Sequence, residues 1–238
     1  MNHKNFTRLY SISRTSRYIK AANGNKQMAQ QMYYANARIA QAFQPLISFF
    51  EVVLRNQLHY AAAAFFNDVE WIVNQKTGFM SDDMLCHVNK KTGQYKQNTF
   101  LKKEVERAEK VLADKQRNVT AGRIIAELNL GFWNSLYEKH HYALLKGVPC
   151  RIFNKLPVGY GRKEVNDYIQ KIRILRNRVS HNEPLCFNGK VFDLMYVREM
   201  YRIISDFFQW INPSIEISLK EGELDRVEYE ISRAEKLL

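Results

Sequence analysis

A chain of 238 residues that is 46% hydrophobic and 13% aromatic can fill one sizeable core and lacks the composition of a disordered protein. Its formal charge of +12 favours a polyanionic partner through phosphate neutralisation, without identifying one. The apolar runs are broken by charges or Gln well short of the roughly 18 residues of a membrane span, and Cys86, Cys150 and Cys186, widely spaced and without clustered histidines, read as reduced thiols rather than as a disulfide framework or a zinc site.

Glycines are few, prolines fewer, and no segment alternates apolar with polar residues for long. The expectation is therefore an all-α fold in one compact unit. The N-terminal MNHKNFTRLY has no signal-peptide core, so the chain is expected in the cytoplasm, with no membrane partner, no metal and no cofactor. A first helix is predicted from after Ser11 or Ser13 to Asn23-Gly24, and a second from about Asn25 to Phe43. Pro45 then either starts a new helix or kinks this one, which gives two helices in series.

From Leu46 to Phe66, Leu46, Phe49, Phe50, Val53, Leu54, Leu58 and Ala61 form an apolar stripe. Glu51, Arg55 and His59 stand opposite it at i, i+4, i+8, a spacing that also suits a plain solvated stripe with one Glu–Arg pair. Asn67 to Gln97 is irregular, with turns at Thr77-Gly78 and Thr92-Gly93, a short helix from Ser81, and Lys90 and Lys91 as surface cations. Asn98 to Lys115 predicts a mostly exposed helix on Leu101, Val105, Ala108 and Leu112, after which Thr120 is placed as the N-cap of AGRIIAEL. Phe132, Trp133, Leu136 and Tyr137 pair at helical spacing between Leu128 and Leu145, and the adjacent His140 and His141 lack the carboxylate or Cys partners of a metal or catalytic pair.

Prolines and glycines up to Gly161 break the chain before a helix that begins near Arg162 or Lys163. Within KIRILRNRVSHNEPL, Tyr168, Ile172, Leu175 and Val179 share an apolar face. Arg176, Asn177 and His181 stand off it, and Pro184 stops the helix. A turn at Asn188-Gly189, a long helix over Val191–Ile211 with Phe192 and Met195 in its core, and a charged, thinly amphipathic tail complete the chain.

Arg176 and His181 are residue types that suit metal-free RNA cleavage. Histidine titrates nearest neutrality and can move a proton either way, and arginine offers a fixed cationic fork for a phosphate. Asn177 and His181 fall on one side of the helix, whereas Arg176 and His181 are about 140° apart. They converge if the last turn distorts or if two protomers share a cleft. A plain alternative is that Arg176 and His181 satisfy the last carbonyls of the helix.

The pattern R-N-x-x-x-H resembles the signature of HEPN domains, many of them metal-independent ribonucleases. Extended through Asn182, Glu183 and Pro184, it is similar to the Abi-like family of bacterial abortive-infection proteins. Two further segments agree: Glu51, Leu54, Arg55 and Asn56 match an early E-x-x-L-R-N helix, and LNLGFWNSL matches the segment before the motif helix. The resemblance implies a HEPN-like helical bundle with additional N-terminal helices, divided into a helical part to about residue 118, a motif-bearing bundle over about 119–212 and a tail over 213–238. It also implies an RNA-cleaving toxin of an abortive-infection or toxin–antitoxin system, acting as a homodimer and restrained by a structured noncoding RNA. On this resemblance the expected catalytic residues are Arg176 and His181, with Asn177 and Glu183 in support and Glu51, Arg55, Asn56 and His59 near the cleft or the subunit interface. A catalytically silent HEPN module that binds RNA or protein, and a helical scaffold, are the other readings.

Overall fold

Helical periodicity prevails: the computed structural model, which describes residues 2–88 and 93–238, is 71% helical in twelve α-helices, with two short antiparallel hairpins. The fold is all-α, as its sequence predicts. Lys90, Lys91 and Thr92 lie outside the described residues. No helix among the described residues is long and apolar enough to cross a membrane. The chain groups into two compact units, Met1–Phe50 with Lys171–Leu238, and Glu51–Gln170, a division that cuts across the sequential one.

In the first unit, α1 (His3–Tyr10) is a helix that sequence reasoning missed, because Phe6 is its only buried residue and one residue makes no period. Asn2 caps it, accepting from Asn5 N at 2.9 Å. Helix α2 (Ile12–Ala21) starts at the N-cap Ser11. Helix α3 (Lys26–Phe66) is one 41-residue helix with Pro45 inside it, where two helices in series were expected. An interior proline costs about 3 kcal/mol. Phe43, Leu46 and Phe50 around it are fully buried, at about 1.5–3 kcal/mol each, and they hold the helix through the break.

The second unit contains α4 (Trp71–Asn74), 3-10 turns at Phe79–Ser81 and Asp83–Leu85 in place of a helix from Ser81, and a hairpin of β1 (Cys86–Val88) with β2 (Tyr95–Gln97). Helix α5 (Phe100–Asp114) buries the four residues predicted for it. Helix α6 (Ala121–Glu127) begins after Thr120, but the Thr120 side chain makes no capping bond. The Glu70 carboxylate accepts from Ala121 N instead, at 2.6 Å. Two short helices follow, α7 (Leu130–Ser135) and α8 (Lys139–Leu144).

Helix α9 (Arg162–Ser180) carries the motif. Back in the first unit, β3 (Phe187–Asn188) and β4 (Val191–Phe192) pair across Gly189 and Lys190, so the next helix, α10 (Met195–Ile211), starts later than expected. Met195 is exposed rather than core, and Val197 and Phe208 are buried in its stead. Asn212 ends α10 and caps α11 (Pro213–Lys220). The tail is not loose: α12 (Glu223–Glu235) buries Leu224, Val227, Ile231 and Ala234 and packs on α10 and α11.

Candidate active site

Ile172, Leu175 and Val179 anchor α9 as buried residues, with Ile169 rather than Tyr168 continuing their face. This leaves Arg176 half-buried and Asn177 and His181 exposed. The helix stays regular to its end, because His181 N donates to Asn177 O at 2.9 Å. Asn182 then takes the left-handed conformation at φ 51°. Its N–H bonds Val179 O at 3.1 Å and that of Glu183 bonds Arg178 O at 2.8 Å, the paired bonds of a Schellman stop with Asn in the usual glycine position.

Backbone amides therefore close the helix, and the His181 imidazole takes no part in it. That imidazole is exposed and makes no hydrogen bond among the described residues. Glu183 faces Arg178, not His181, with Arg178 Nε 3.7 Å from its carboxylate. The same guanidinium donates to Pro184 O and lies 4.5 Å over the Tyr196 ring, so Arg178 shapes the segment after the motif.

Two arginines from α2 complete the surroundings. Arg14 donates to Asn182 O at 2.9 Å. Arg17 donates to Gly189 O at 2.5 Å and covers the Phe187 ring at 4.4 Å. With Ser13, His181, Glu183 and Pro184 they line an open cleft of about 320 Å³. Sequence reasoning missed both, although their i, i+3 spacing in a strongly basic chain was the available signal. From α3, Asn36 Oδ1 accepts from Leu185 N at 2.6 Å and Cys186 N at 3.1 Å. That fixes the chain beyond Pro184. Burial pushes the Cys186 thiol up to about 12, so this cysteine stays protonated and inert.

Glu51, Arg55, Asn56 and His59 lie in the second unit and are half-buried, so their side of α3 is not a solvated stripe. Arg55 Nε is buried without a hydrogen bond among the described residues. His59 Nδ1 accepts from Trp71 Nε1 at 3.1 Å, and burial lowers its pKa, which makes it a neutral packing histidine. His141 is similar: 1% exposed, with Nδ1 2.9 Å from Ser135 O and a pKa lowered by burial. Among the described residues no three His, Cys, Asp or Glu are grouped as metal ligands would be.

The chain matches the family model of Abi-like proteins over residues 2–186, a span that includes the Glu51–Asn56 segment and the whole cluster from Arg176 to Pro184. It has no significant match among curated proteins or solved structures. Since the matched span is well over half of its length, the chain belongs to the Abi-like protein family.

Proposed function

We propose that this Abi-like protein is a metal-independent endoribonuclease that acts in abortive infection as a homodimer. Membership of the family supports the defence role. The observation that carries the chemistry is the exposed His181 imidazole, without an internal partner, in a cleft with Arg14 and Arg17. A histidine so placed can take the proton of an RNA 2′-OH as that oxygen attacks the adjacent phosphorus. Arg176 stabilises the phosphorane charge. The bond from phosphorus to the 5′-oxygen then breaks, the leaving oxygen takes a proton from the imidazolium so formed or from water, and the upstream fragment keeps a 2′,3′-cyclic phosphate.

Regular hydrogen bonding as far as His181 leaves Arg176 and His181 about 140° apart on the helix. Within one chain they diverge, which favours a cleft shared between two copies, each giving its arginine to the other's histidine. Asn177, one turn before His181, orients the imidazole or holds the phosphate. A structured noncoding RNA is a fitting restraint on so basic a protein.

The test is incubation of purified protein with total RNA in EDTA, beside R176A and H181A. Expected are fragments ending in cyclic phosphate for the wild type and loss of activity, by about 100-fold or more, in each variant. Activity that requires magnesium and persists in H181A overturns this mechanism. Binding without cleavage by the wild type would mark a silent RNA-binding module.

A further inference from the structure

Beside the His181 cleft is a second, more enclosed one. It measures about 250 Å³ and is lined by Tyr18, Tyr33, Asn36, Ala37, Ala40, Gln41, Gln44 and the chain at Val179, Asn182 and Pro184. Arg14 lines both clefts. We infer that this more enclosed cleft holds one unpaired nucleobase of the RNA, next to the phosphate to be cut. The inference rests on the RNA-cleaving reading above and adds a base-recognition subsite to it.

Three features of the cleft fit a base. Its volume is just below the roughly 300–1,000 Å³ of ordinary small-molecule sites, the scale of a single ring system. One wall is the half-buried Tyr33, braced edge-on by Tyr18 at 5.3 Å between ring centroids, and Ala37 and Ala40 are too small to fill the space beside it. An aromatic wall of this kind is where a splayed-out base stacks. The third feature is Asn36, only 7% exposed. Both backbone amides at Leu185 and Cys186 point at its Oδ1, which fixes the orientation of the side-chain amide.

Asn36 Nδ2 makes no hydrogen bond among the described residues. It is not one of the buried polar atoms left without a partner, so it opens onto the cleft, where a base acceptor can take its hydrogen bond in place of water. Gln41 and Gln44, exposed at the rim, can donate and accept along the remaining base edge. Arg14, held by Asn182 O at 2.9 Å, sits where the two clefts meet, so its other donors are available to the phosphate that joins base to scissile bond.

The test measures binding apart from cleavage. In the H181A protein, fluorescence anisotropy with single-stranded heptamers of uniform A, C or U is expected to show affinities that differ by about tenfold with the base. Ala37→Trp, which fills the cleft from an exposed position, is expected to erase that difference. Asn36→Asp keeps the acceptor for both backbone amides but removes the donor, and is expected to change the order of preference among the three bases. Equal binding of all three heptamers by the parent, or an unchanged preference in A37W, overturns the inference. Base-dependent binding with no cleavage by the wild type removes the nuclease and leaves the subsite. Cleavage with base-blind binding removes the subsite alone.

Discussion

Asn36 joins two roles in one side chain: its oxygen closes the backbone after the motif, and its nitrogen faces the inferred base. The first role sets a measurable cost. Leu185 and Cys186 are completely buried, so Asn36→Ala leaves two buried N–H groups without an acceptor, at about 1–3 kcal/mol each. Urea unfolding of N36A is expected to show a loss of about 2–4 kcal/mol at unchanged slope, with N36D much closer to wild type. A loss below about 0.5 kcal/mol in N36A would mean that water or another group satisfies those amides. Arg176, Asn177 and His181 were readable from sequence, because their spacing is local and their chemistry is distinctive. Asn36, Arg14 and Arg178 were not. Asn36 and Arg14 act through partners 149 and 168 residues away in sequence, and Arg178 is one more basic residue in a basic helix until Tyr196 and Pro184 are placed around it.

At the scale of elements, apolar period was a sound guide wherever a helix buries several residues. The four core positions of α5 and the three of α9 within the motif fell where the 3.6-residue repeat put them. It failed where few residues carry the signal, as in α1 with Phe6 alone, and in both hairpins, whose strands are two or three residues long. It also failed where local chemistry was overruled by tertiary packing. Pro45 is a helix breaker in isolation and an interior residue here, because the burial on either side exceeds its cost. The start of α6 shows the same override with a testable sign. Sequence assigns its cap to Thr120, whereas the structure assigns it to the Glu70 carboxylate. Glu70→Ala is therefore expected to cost about 1 kcal/mol, and Thr120→Ala only a few tenths, by thermal or urea unfolding. The reverse order would return the cap to Thr120.

At the scale of the whole molecule, the sequence carries the net charge and the all-α class, while the grouping of residues into two units depends on contacts that no local pattern encodes. The segments 1–50 and 171–238 belong to one unit although 120 residues separate them, and it is this pairing that brings Arg14 and Arg17 to His181. The shared-cleft proposal turns on a further property of the whole protein, its pairing with a second copy. Take a symmetric dimer in which each cleft has Arg176 from one chain and His181 from the other. R176A and H181A alone then give clefts that each lack one group. In a mixed dimer the intact Arg176 of the H181A chain meets the intact His181 of the R176A chain, so one cleft is complete and the other lacks both. Random reassociation of equal amounts makes about half of the dimers mixed, and one of the two clefts in each is competent, so about a quarter of wild-type activity is expected after the variants are unfolded and refolded together. Refolding them separately and then combining them without exchange is expected to restore none. If co-refolding also restores none, while mixed dimers are present by native mass spectrometry, then each cleft draws both groups from one chain or needs every copy intact, and the reciprocal exchange between copies is wrong.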